Sequence, residues 1–348
     1  MKLSDFDYTL PKELIAQYPL KERDTARLLV LDRKNSTIEH YLFKNIIDYF
    51  QPADLLVLNN TEVLPSRLIG SRVTGGKAEL LLLKAKSGLT FDALIKPSRV
   101  KLKERIIFTP LATRDRQKKN KMSLTGFNGG KIYGEVTAKN EITFKALDKE
   151  TIYNLGVMPL PPYIKRDSED LDSVYYQTVY AQELGSIASP TAGLHFTEEL
   201  IAEIKSRGVN IAYITLHISY STFKPVKSED ITEHKMEKEY FQVREEAENS
   251  INQARLKKAR IFAVGTTACR ALETYASGLK EGYTDLFIYP GYKFKMTDCL
   301  LTNFHLPRTT LFMLACAFAG EKLIKKAYQE AIDRKYRFYS YGDAMLIV

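Results

Sequence analysis

The sequence has few cysteines, and their positions exclude two common kinds of site. Only three occur, Cys269, Cys299 and Cys316, an odd number without the spacing of metal ligands. A disulfide framework and a structural zinc site both need paired or regularly spaced cysteines, so neither is expected. This usage is typical of a protein in a reducing compartment.

Long apolar segments are also missing. The longest apolar run, LFMLACAFA at residues 311–319, is far shorter than the roughly 20 residues that a helix needs to cross a bilayer. The stretch MKLSDFDYTL carries acidic residues where a secretory signal needs an apolar core. We therefore expect a cytoplasmic protein that does not bind a membrane.

Several catalytic and cofactor-binding motifs are absent as well. The sequence contains no GxGxxG fingerprint, no Walker loop, no HExxH, no nucleophile elbow and no CxxC pair. Nicotinamide chemistry and metal catalysis are therefore disfavoured, and we expect neither a bound metal nor a resident cofactor. A nucleotide-like ligand would need a site of another kind.

What the sequence does contain is a positive charge concentrated in one segment. The 348-residue chain carries a net charge of +9, whereas residues 67–150 contain 19 Lys and Arg against 8 Asp and Glu, which is +11. The rest of the chain is therefore slightly acidic. A local cationic surface predicts a polyanionic partner, and the alternative is a lysine-rich solvated surface without one.

The same segment has the pattern of a small β domain. Between residues 66 and 150, short apolar or alternating runs follow one another at strand spacing, separated by Gly, Asn or Pro. This pattern predicts a small antiparallel β-barrel or sandwich. In RVKLKERIIF, residues 99–108, Val100 and Leu102 are expected to face inward and the charged residues beside them outward. TRDRQKKNK, residues 113–121, is predicted to form a basic hairpin loop.

The flanking residues alternate between strand and helix patterns. LLVLDR and DLLVLNNT are typical of buried strands, and TEELIAEIKSRG is typical of a helix with one apolar stripe. DLFIYPGY, residues 285–292, is predicted to be a strand followed by a turn. We therefore predict a layered α/β domain of residues 1–65 and 151–348, interrupted by the basic β domain of residues 66–150.

Three segments place small or polar residues between a strand and a helix. They are SPTAGLHFT, AVGTTACRALE and TNFHLPRTTLF. Backbone N–H groups at such a helix start can bind a phosphate or a carboxylate, and simple helix capping is the alternative. Four of the five histidines fall at element ends, namely His195, His217, His234 and His305. A histidine among apolar residues is usually a core residue, but this grouping favours a shared cleft in which histidines transfer protons.

Seven segments, in matching order, resemble the S-adenosylmethionine:tRNA ribosyltransferase-isomerase family of queuosine biosynthesis. They are DFDYTLPKELIAQYPLKERDTARLLVLDR, SIASPTAGLHFT, HKMEKEY, AVGTTACRALE, IYPGYKFKMTD, LTNFHLPRTTLFMLACAFAG and YRFYSYGDAMLI. The resemblance implies an α/β domain interrupted by a small β-barrel, as predicted above.

The resemblance also implies a reaction. Enzymes of that family move the ribosyl part of S-adenosylmethionine onto 7-aminomethyl-7-deazaguanine at the wobble position of a tRNA. They also isomerise the ribosyl group to an epoxycyclopentane. Epoxyqueuosine-tRNA forms, and adenine and methionine leave. S-adenosylmethionine is then a co-substrate and tRNA the macromolecular partner, with no metal required. We expect the enzyme to act as a monomer.

On this interpretation, candidate residues fall into three sets. Proton transfer is assigned to His195, His217 and His305, with Asp298 and Asp343 as orienters or cation partners. S-adenosylmethionine contacts are assigned to Thr191, Gly193, Gly265, Thr266, Thr267 and Asn303. Contacts with tRNA phosphates are assigned to Arg99, Lys101, Lys103, Arg114, Arg116, Lys118 and Lys119.

Two motifs depart from the family pattern. After His217 the family has His-Val-Gly-x-Gly-Thr-Phe, whereas this sequence reads HISYSTF, with Ser219 and Ser221 in place of the glycines. The family motif His-x-Met-His-x-Glu reads HKMEKE here, with Glu237 at the second histidine. A tRNA-binding paralogue without catalysis is therefore one alternative. An S-adenosylmethionine-dependent tRNA methyltransferase is another, disfavoured because no glycine-rich loop follows a first strand.

Overall fold

The computed structural model describes residues 1–109, 131–223 and 226–348. These residues form two compact units. Unit 1 comprises Met1–Glu62, Pro161–Asp167 and Val174–Val348, and unit 2 comprises Val63–Leu160 and Ser168–Ser173. The predicted inserted segment, residues 66–150, lies within the bounds of unit 2. The predicted basic loop, residues 113–121, lies outside the described residues.

The strands and helices of the described residues are as follows. The strands are β1 Arg27–Asp32, β2 Thr37–Leu42, β3 Leu55–Asn59, β4 Thr61–Val63, β5 Arg67–Arg72, β6 Lys77–Ala85, β7 Thr90–Lys96, β8 Arg105–Phe108, β9 Ile132–Ala138, β10 Glu141–Lys145, β11 Gly156–Val157, β12 Glu183–Ser186, β13 Asn210–Leu216, β14 Glu239–Gln242, β15 Ile261–Val264, β16 Glu281–Thr284, β17 Cys299–Asn303 and β18 Ala344–Ile347. The α-helices are α1 Lys149–Tyr153, α2 Asp172–Tyr175, α3 Glu198–Ser206, α4 Glu245–Leu256, α5 Gly265–Tyr275, α6 Thr310–Ala319 and α7 Glu321–Asp333. Short 3-10 helices include Arg23–Thr25, Thr191–His195 and Tyr220–Phe223.

Unit 1 is built on a mixed sheet. Within the described residues it has nine strands in the order β16-β14-β13-β3-β15-β17-β18-β1-β2. The four central strands β13, β3, β15 and β17 are mutually parallel, and β18 runs antiparallel to β17. All five residues of β3 and all four of β15 are buried, as expected for parallel strands covered on both faces. The carboxyl ends of these four strands therefore meet at one edge of the sheet.

Apolar residues from both faces of this sheet form two core clusters. One packs β-strand residues against α5, α6 and α7, and includes Leu272, Phe312 and Tyr328. The other packs the opposite face against α3, and includes Phe196 and Ile204. The predicted layered α/β architecture is confirmed.

Unit 2 contains the predicted barrel. Its antiparallel strands follow the order β5-β6-β7-β10-β9-β8, and β8 pairs again with β5, so that these six strands close. Alternate residues of β6 are buried, and the interior includes Leu80, Phe91 and Phe144. Because these six strands close on themselves, they have no open edge. An open strand edge could pair with another chain, and closure prevents this.

Two predictions of strand structure were wrong. Residues 97–104 form turns rather than the start of a strand, and Lys103 has a φ of +62°, so Leu102 is 61% exposed instead of facing inward. Residues 285–292 contain no strand. The N–H of Leu286 donates to the Thr284 hydroxyl, and its carbonyl accepts from Arg270, so side chains replace a neighbouring strand as partners.

Within the described residues, no helix has the length and apolar character needed to cross a membrane.

Candidate functional site

A cleft of unit 1 lies at the carboxyl ends of the parallel strands. It encloses about 730 Å³, including the part open to solvent. Its lining includes Ser189, Thr191, Gly265, Thr266, Asn303 and His305. Ligands of open α/β sheets bind at this edge, because the loops after the strands and the helix starts converge there.

The start of α5 lines the cleft and has the features of a helix end that binds anions. The helix begins at Gly265, whose φ of +86° favours glycine, and its N-cap residue Val264 makes no side-chain capping bond. Thr266 and Thr267 line the cleft directly after it. The first N–H groups of a helix lack intrahelical partners and carry a partial positive charge, so they attract an anion. Ser189 also lines the cleft, and its hydroxyl is buried without a hydrogen-bond partner among the described residues.

Asn303, the last residue of β17, links two other predicted site residues. Its Oδ1 accepts from the Thr191 hydroxyl at 2.8 Å, and its Nδ2 lies 3.3 Å from Nε2 of His195. The same Nδ2 donates to the carbonyl of Tyr339 at 3.3 Å, which fixes the orientation of the amide. Because an amide nitrogen can only donate, Nε2 of His195 must accept, and the imidazole proton lies on Nδ1.

His195 lies behind this cleft rather than in its lining. Its side chain is 5% exposed and its ring lies 5.0 Å from that of Phe43. Burial, together with the nearby charges of Arg23 and Arg337, lowers its pKa to about 3. It lines a second, smaller cavity instead. In this geometry His195 is hydrogen-bonded to Asn303 and faces the second cavity, whereas the sequence predicted a proton-transfer group in the cleft.

His305 is the predicted histidine that lines the cleft. Its Nε2 is hydrogen-bonded to the Thr302 hydroxyl at 2.7 Å, whereas its Nδ1 has no partner among the described residues. Its backbone is held by the hydroxyls of Tyr8 and Tyr328. Burial lowers its pKa to about 3, so the imidazole is neutral at physiological pH.

The structure does not bring His217 into the cleft lining. Its Nδ1 is hydrogen-bonded to the Thr61 hydroxyl at 2.7 Å, and its ring stacks on Tyr240 with centroids 5.6 Å apart. A Cβ at Gly185 would lie 2.6 Å from Nε2 of His217, so the Gly185 backbone covers the ring. Burial lowers the pKa of His217.

Asp298 lies at the opposite edge of the sheet, contrary to its predicted place in the site. It immediately precedes β17, whose carboxyl end faces the cleft. Its carboxylate accepts from the N–H of Ile261 at 2.9 Å, and its carbonyl accepts from Arg33 at 2.6 Å. These contacts tie the amino ends of β15 and β17 together.

Asp343 lies at the cleft edge of the sheet, just before β18. Its buried carboxylate accepts from the N–H groups of Arg27 and Arg337, at 2.9 and 2.7 Å, and forms an ion pair with the Arg27 guanidinium at 3.3 Å. Asp343 is thus a cation partner of Arg27 and does not face the ligand space directly.

Gly193 is tightly packed and lies outside the cleft lining. A Cβ at this position would lie 2.0 Å from the hydroxyl of Tyr180. The residue is buried in the 3-10 helix Thr191–His195 and is not part of the cleft lining, contrary to the prediction.

Glu239 and Arg270 support the cleft, and the sequence predictions missed both. They form an ion pair in which both side chains are almost fully buried. The other oxygen of Glu239 accepts from the Ser219 N–H at 2.8 Å and from the Thr222 hydroxyl, which lines the cleft, at 2.9 Å. The sequence could have indicated both residues, because Glu239 ends the motif HKMEKE and Arg270 lies in the motif AVGTTACRALE. Ser219 has no positive φ, so a glycine is not needed there.

The predicted tRNA contacts fall in two groups. Arg99, Lys101 and Lys103 are exposed in unit 2, and within the described residues none of them forms an ion pair. Arg114, Arg116, Lys118 and Lys119 lie outside the described residues. Elsewhere in the described ranges, no three His, Cys, Asp or Glu side chains form a group suited to a metal ion.

Comparisons with known proteins agree along the whole chain. The profile of the family described as "Queuosine biosynthesis protein" matches residues 3–347. S-adenosylmethionine:tRNA ribosyltransferase-isomerases from Sulfurihydrogenibium sp. and Carboxydothermus hydrogenoformans are 51% and 47% identical, each over 100% of both chains. A crystal structure of S-adenosylmethionine tRNA ribosyltransferase from Thermotoga maritima is 35% identical, with a TM-score of 0.55 over 99% of this chain and 100% of that one. The chain is therefore an enzyme of the S-adenosylmethionine:tRNA ribosyltransferase-isomerase family of queuosine biosynthesis.

Proposed function

We propose that the enzyme transfers the ribosyl group of S-adenosylmethionine to 7-aminomethyl-7-deazaguanine at the wobble position of a tRNA and isomerises it. The products are epoxyqueuosine-tRNA, adenine and methionine. The observation that carries the proposal is the full-length identity of about half with enzymes of that name. The cleft supports it, because an anion site and a neutral histidine lie within the same lining.

The anion site suits the amino-acid end of S-adenosylmethionine. The carboxylate would accept from the free N–H groups at the start of α5 and from the Ser189 hydroxyl. The Thr266 hydroxyl remains for the ribose, and so does the accepting capacity of the Thr191 hydroxyl, which donates its proton to Asn303. A neutral imidazole at His305 also tolerates the positive sulfonium, which a protonated one would repel.

His305 is the proposed proton-transfer residue. The sulfonium acidifies the 5′ carbon, so the free Nδ1 of His305 can remove a proton there and form an ylide. Ring opening then expels adenine, and the imidazolium, acidic because it is buried, can return the proton to the leaving base. The aminomethyl nitrogen then forms a bond to the ribosyl carbon that adenine left and releases a proton to solvent, and a new bond between this carbon and the former 5′ carbon closes the five-membered carbocycle. An alkoxide on the neighbouring ring carbon displaces methionine as a neutral thioether and so forms the epoxide. Since the substrate carries its own activation, the proposal requires no metal.

The basic surface of unit 2 is the proposed site of tRNA phosphate contacts. Arg99, Lys101 and Lys103 are exposed there, and the segment of which they are part carries +11. Such charges bind nucleic acid mainly through release of its counterions. Because tRNA is the substrate, the proposal also puts the reaction in the cytoplasm.

A turnover assay with doubly labelled S-adenosylmethionine tests the proposed function. With tRNA carrying the 7-aminomethyl base, ribose label should enter RNA and one adenine should be released for each label incorporated. Methyl label in RNA would instead indicate methyl transfer. Binding of tRNA without either label would indicate a non-catalytic paralogue. The matched control is tRNA with unmodified guanine at the wobble position, which should release no adenine.

A further inference from the structure

The Thr222 hydroxyl belongs to a residue of the cleft lining that has no role in the site described above. Thr222 lies in the 3-10 helix Tyr220–Phe223, which follows β13, and its hydroxyl donates to Oε1 of Glu239 at 2.9 Å. We propose that this hydroxyl accepts a hydrogen bond from an N–H or O–H group of S-adenosylmethionine, and that Glu239 is the positioning residue that orients it. The inference rests on the proposed function and names a further residue that recognises the co-substrate.

The bond to Glu239 determines which ligand groups the Thr222 hydroxyl can bind. A carboxylate only accepts hydrogen bonds, so the single hydroxyl proton of Thr222 points at Glu239, and the oxygen keeps a lone pair for another donor. S-adenosylmethionine carries such donors in its α-ammonium group and its ribose hydroxyls. As far as the structure describes the cleft lining, it contains no Asp or Glu side chain, so these donors must be met by oxygens of hydroxyls, amides and the backbone.

Glu239 is held so that it cannot turn away from Thr222. Its Oε1 also accepts from the N–H of Ser219 at 2.8 Å, and its Oε2 forms the buried ion pair with Arg270. Arg270 is fixed in turn, because its Nε donates to the carbonyl of Leu286 at 3.0 Å. A buried ion pair is retained only when its geometry is well satisfied, and a carboxylate with both oxygens bonded keeps one orientation. The Thr222 hydroxyl therefore has a defined direction.

Thr222 lies within reach of a ligand bound at the start of α5. The strand before Thr222, β13, is separated from the strand before α5, β15, by the single strand β3. Neighbouring strands are about 4.8 Å apart, so the carboxyl ends of β13 and β15 are about 10 Å apart. Arg270 belongs to α5 itself and connects that helix to Thr222 through Glu239. A co-substrate whose carboxylate binds at the helix start can therefore extend a donor to Thr222.

Thr222 and Glu239 come from the two motifs that depart from the family pattern. HISYSTF contains Thr222 and HKMEKE contains Glu239, but the departures fall on Ser219, Ser221 and Glu237. The bond from Ser219 to Glu239 uses the backbone N–H, so it does not depend on the side chain at that position. The contact between Thr222 and Glu239 is therefore present despite both departures.

Replacing Thr222 tests the ligand contact. Thr222→Val keeps the shape of the side chain but removes the hydroxyl, and it should raise the Kd for S-adenosylmethionine about tenfold, the scale of one lost hydrogen bond. Thr222→Ser restores a hydroxyl and should restore most of the affinity. The matched control is Thr232→Val, which removes an exposed hydroxyl that donates to the Asp230 carboxylate at 2.8 Å. Thr232 is not part of the cleft lining, so this variant should keep the wild-type Kd.

A second set of variants tests the positioning role of Glu239. Because removal of one charge would leave the other buried and unpaired, both partners of the ion pair are replaced together. In Glu239→Gln/Arg270→Gln an amide oxygen can still accept from Thr222, so most of the affinity should be kept. In Glu239→Met/Arg270→Met no acceptor remains, so the Kd should rise about as much as in Thr222→Val and should not rise further when Thr222→Val is added. A further rise, or equal Kd values in the two double variants, would overturn the positioning role. Melting temperatures verify that all variants fold.

A second ligand identifies the donor and separates this inference from the proposed function. The probe is 5′-methylthioadenosine, which lacks the amino-acid part of S-adenosylmethionine and keeps the ribose. If calorimetry shows that Thr222→Val weakens binding of S-adenosylmethionine alone, the donor is the α-ammonium group, and if it weakens binding of both ligands, the donor lies on the nucleoside. Wild-type Kd values of Thr222→Val for both ligands, or an equal loss of affinity in Thr232→Val, would overturn the contact even where turnover is normal. If affinity depends on Thr222 but the wild type never releases adenine, the proposed reaction fails while the contact stands.

Discussion

Burial keeps the imidazoles of His195 and His305 neutral, and this has a consequence for acid stability. Each folded-state pKa is about 3, below the ordinary value of about 6.5 in an unfolded chain. Between these values the unfolded chain binds protons that the folded chain does not. The free energy of unfolding should therefore fall as pH decreases from about 6.5 to about 3, by up to about 1.4 kcal/mol per pH unit for each histidine.

Denaturant unfolding measured at several pH values checks this expectation. His305→Asn removes one imidazole whose folded-state pKa is about 3, so its stability should depend less steeply on pH than that of the wild type below pH 6.5. Above that pH the two slopes should coincide. Equal slopes at acid pH would mean that His305 titrates normally in the folded state.

His195 and Asn303 should behave as one functional unit. If His195 acts by holding the Asn303 amide, His195→Asn and Asn303→Ala each misplace the cleft lining and should lower kcat/KM by roughly 10²-fold, since small displacements of positioning groups cost on that scale. The double variant should then be no worse than the more severe single variant.

The same cycle distinguishes positioning from core packing. A large fall in melting temperature for His195→Asn, with turnover per folded molecule unchanged, would make His195 a core residue. Effects that multiply in the double variant would mean that the two residues act independently, and His195 would then need a separate role.

At the scale of elements, the start of α5 is the feature on which S-adenosylmethionine binding should depend. Gly265→Ala introduces no close contact, because a Cβ there would lie 3.7 Å from Ala192 and from the Thr267 hydroxyl. The strain comes from the φ of +86°, which costs an alanine about 1–2 kcal/mol. We expect a lower melting temperature and, as the first N–H groups reorient, at least a tenfold higher Kd for S-adenosylmethionine.

Gly278→Ala is the matched control for this prediction. Gly278 follows the other end of α5 with a similar φ of +96°, and a Cβ there would meet nothing within 4 Å. The variant should lose comparable stability but keep its affinity, as measured by calorimetry. An equal loss of affinity in both variants would mean that the helix start does not contact the ligand.

The accuracy of the sequence predictions followed the strength of the local pattern. Continuous apolar runs predicted the bounds of β3 and β15 to within a few residues. Parallel strands that are buried on both faces consist of such runs. The alternation in RVKLKERIIF was misleading, since turns occupy its first half. Asp298 was wrongly predicted to lie in the site because the prediction used its motif alone. Asp298 directly precedes the parallel strand β17, so it lies at the amino ends of the strands, whereas the cleft lies at their carboxyl ends.

The roles of the histidines could not be separated from sequence. His195 and His305 are both flanked by apolar residues, and both are buried in the structure. They differ only in tertiary partners: Asn303 occupies the accepting nitrogen of His195, whereas Nδ1 of His305 remains free among the described residues. The second cavity was also invisible, because its lining comes from segments far apart in the chain.

For the molecule as a whole, charge and chemistry belong to different parts of the chain. The cleft and the second cavity are built by unit 1, whereas the cationic excess belongs to residues 67–150. The two properties should therefore respond separately to mutation. Loss of charge in unit 2 should affect tRNA affinity without affecting the cleft.

The salt dependence of tRNA binding tests whether the charge of unit 2 acts on tRNA affinity alone. In a triple variant with Arg99, Lys101 and Lys103 changed to Gln, tRNA binding should weaken for any tRNA sequence. The slope of log K against log salt should become shallower by about 0.7–0.9 for each phosphate that is no longer neutralised, up to about 2–3 in total. The Kd for S-adenosylmethionine should remain the same.

The matched control changes the exposed Lys257, Lys322 and Lys326 of unit 1, which removes the same charge outside the basic segment. If the slope changes equally in both variants, tRNA responds only to net charge. If it changes in neither, the cationic surface of unit 2 is a solvated face without a partner.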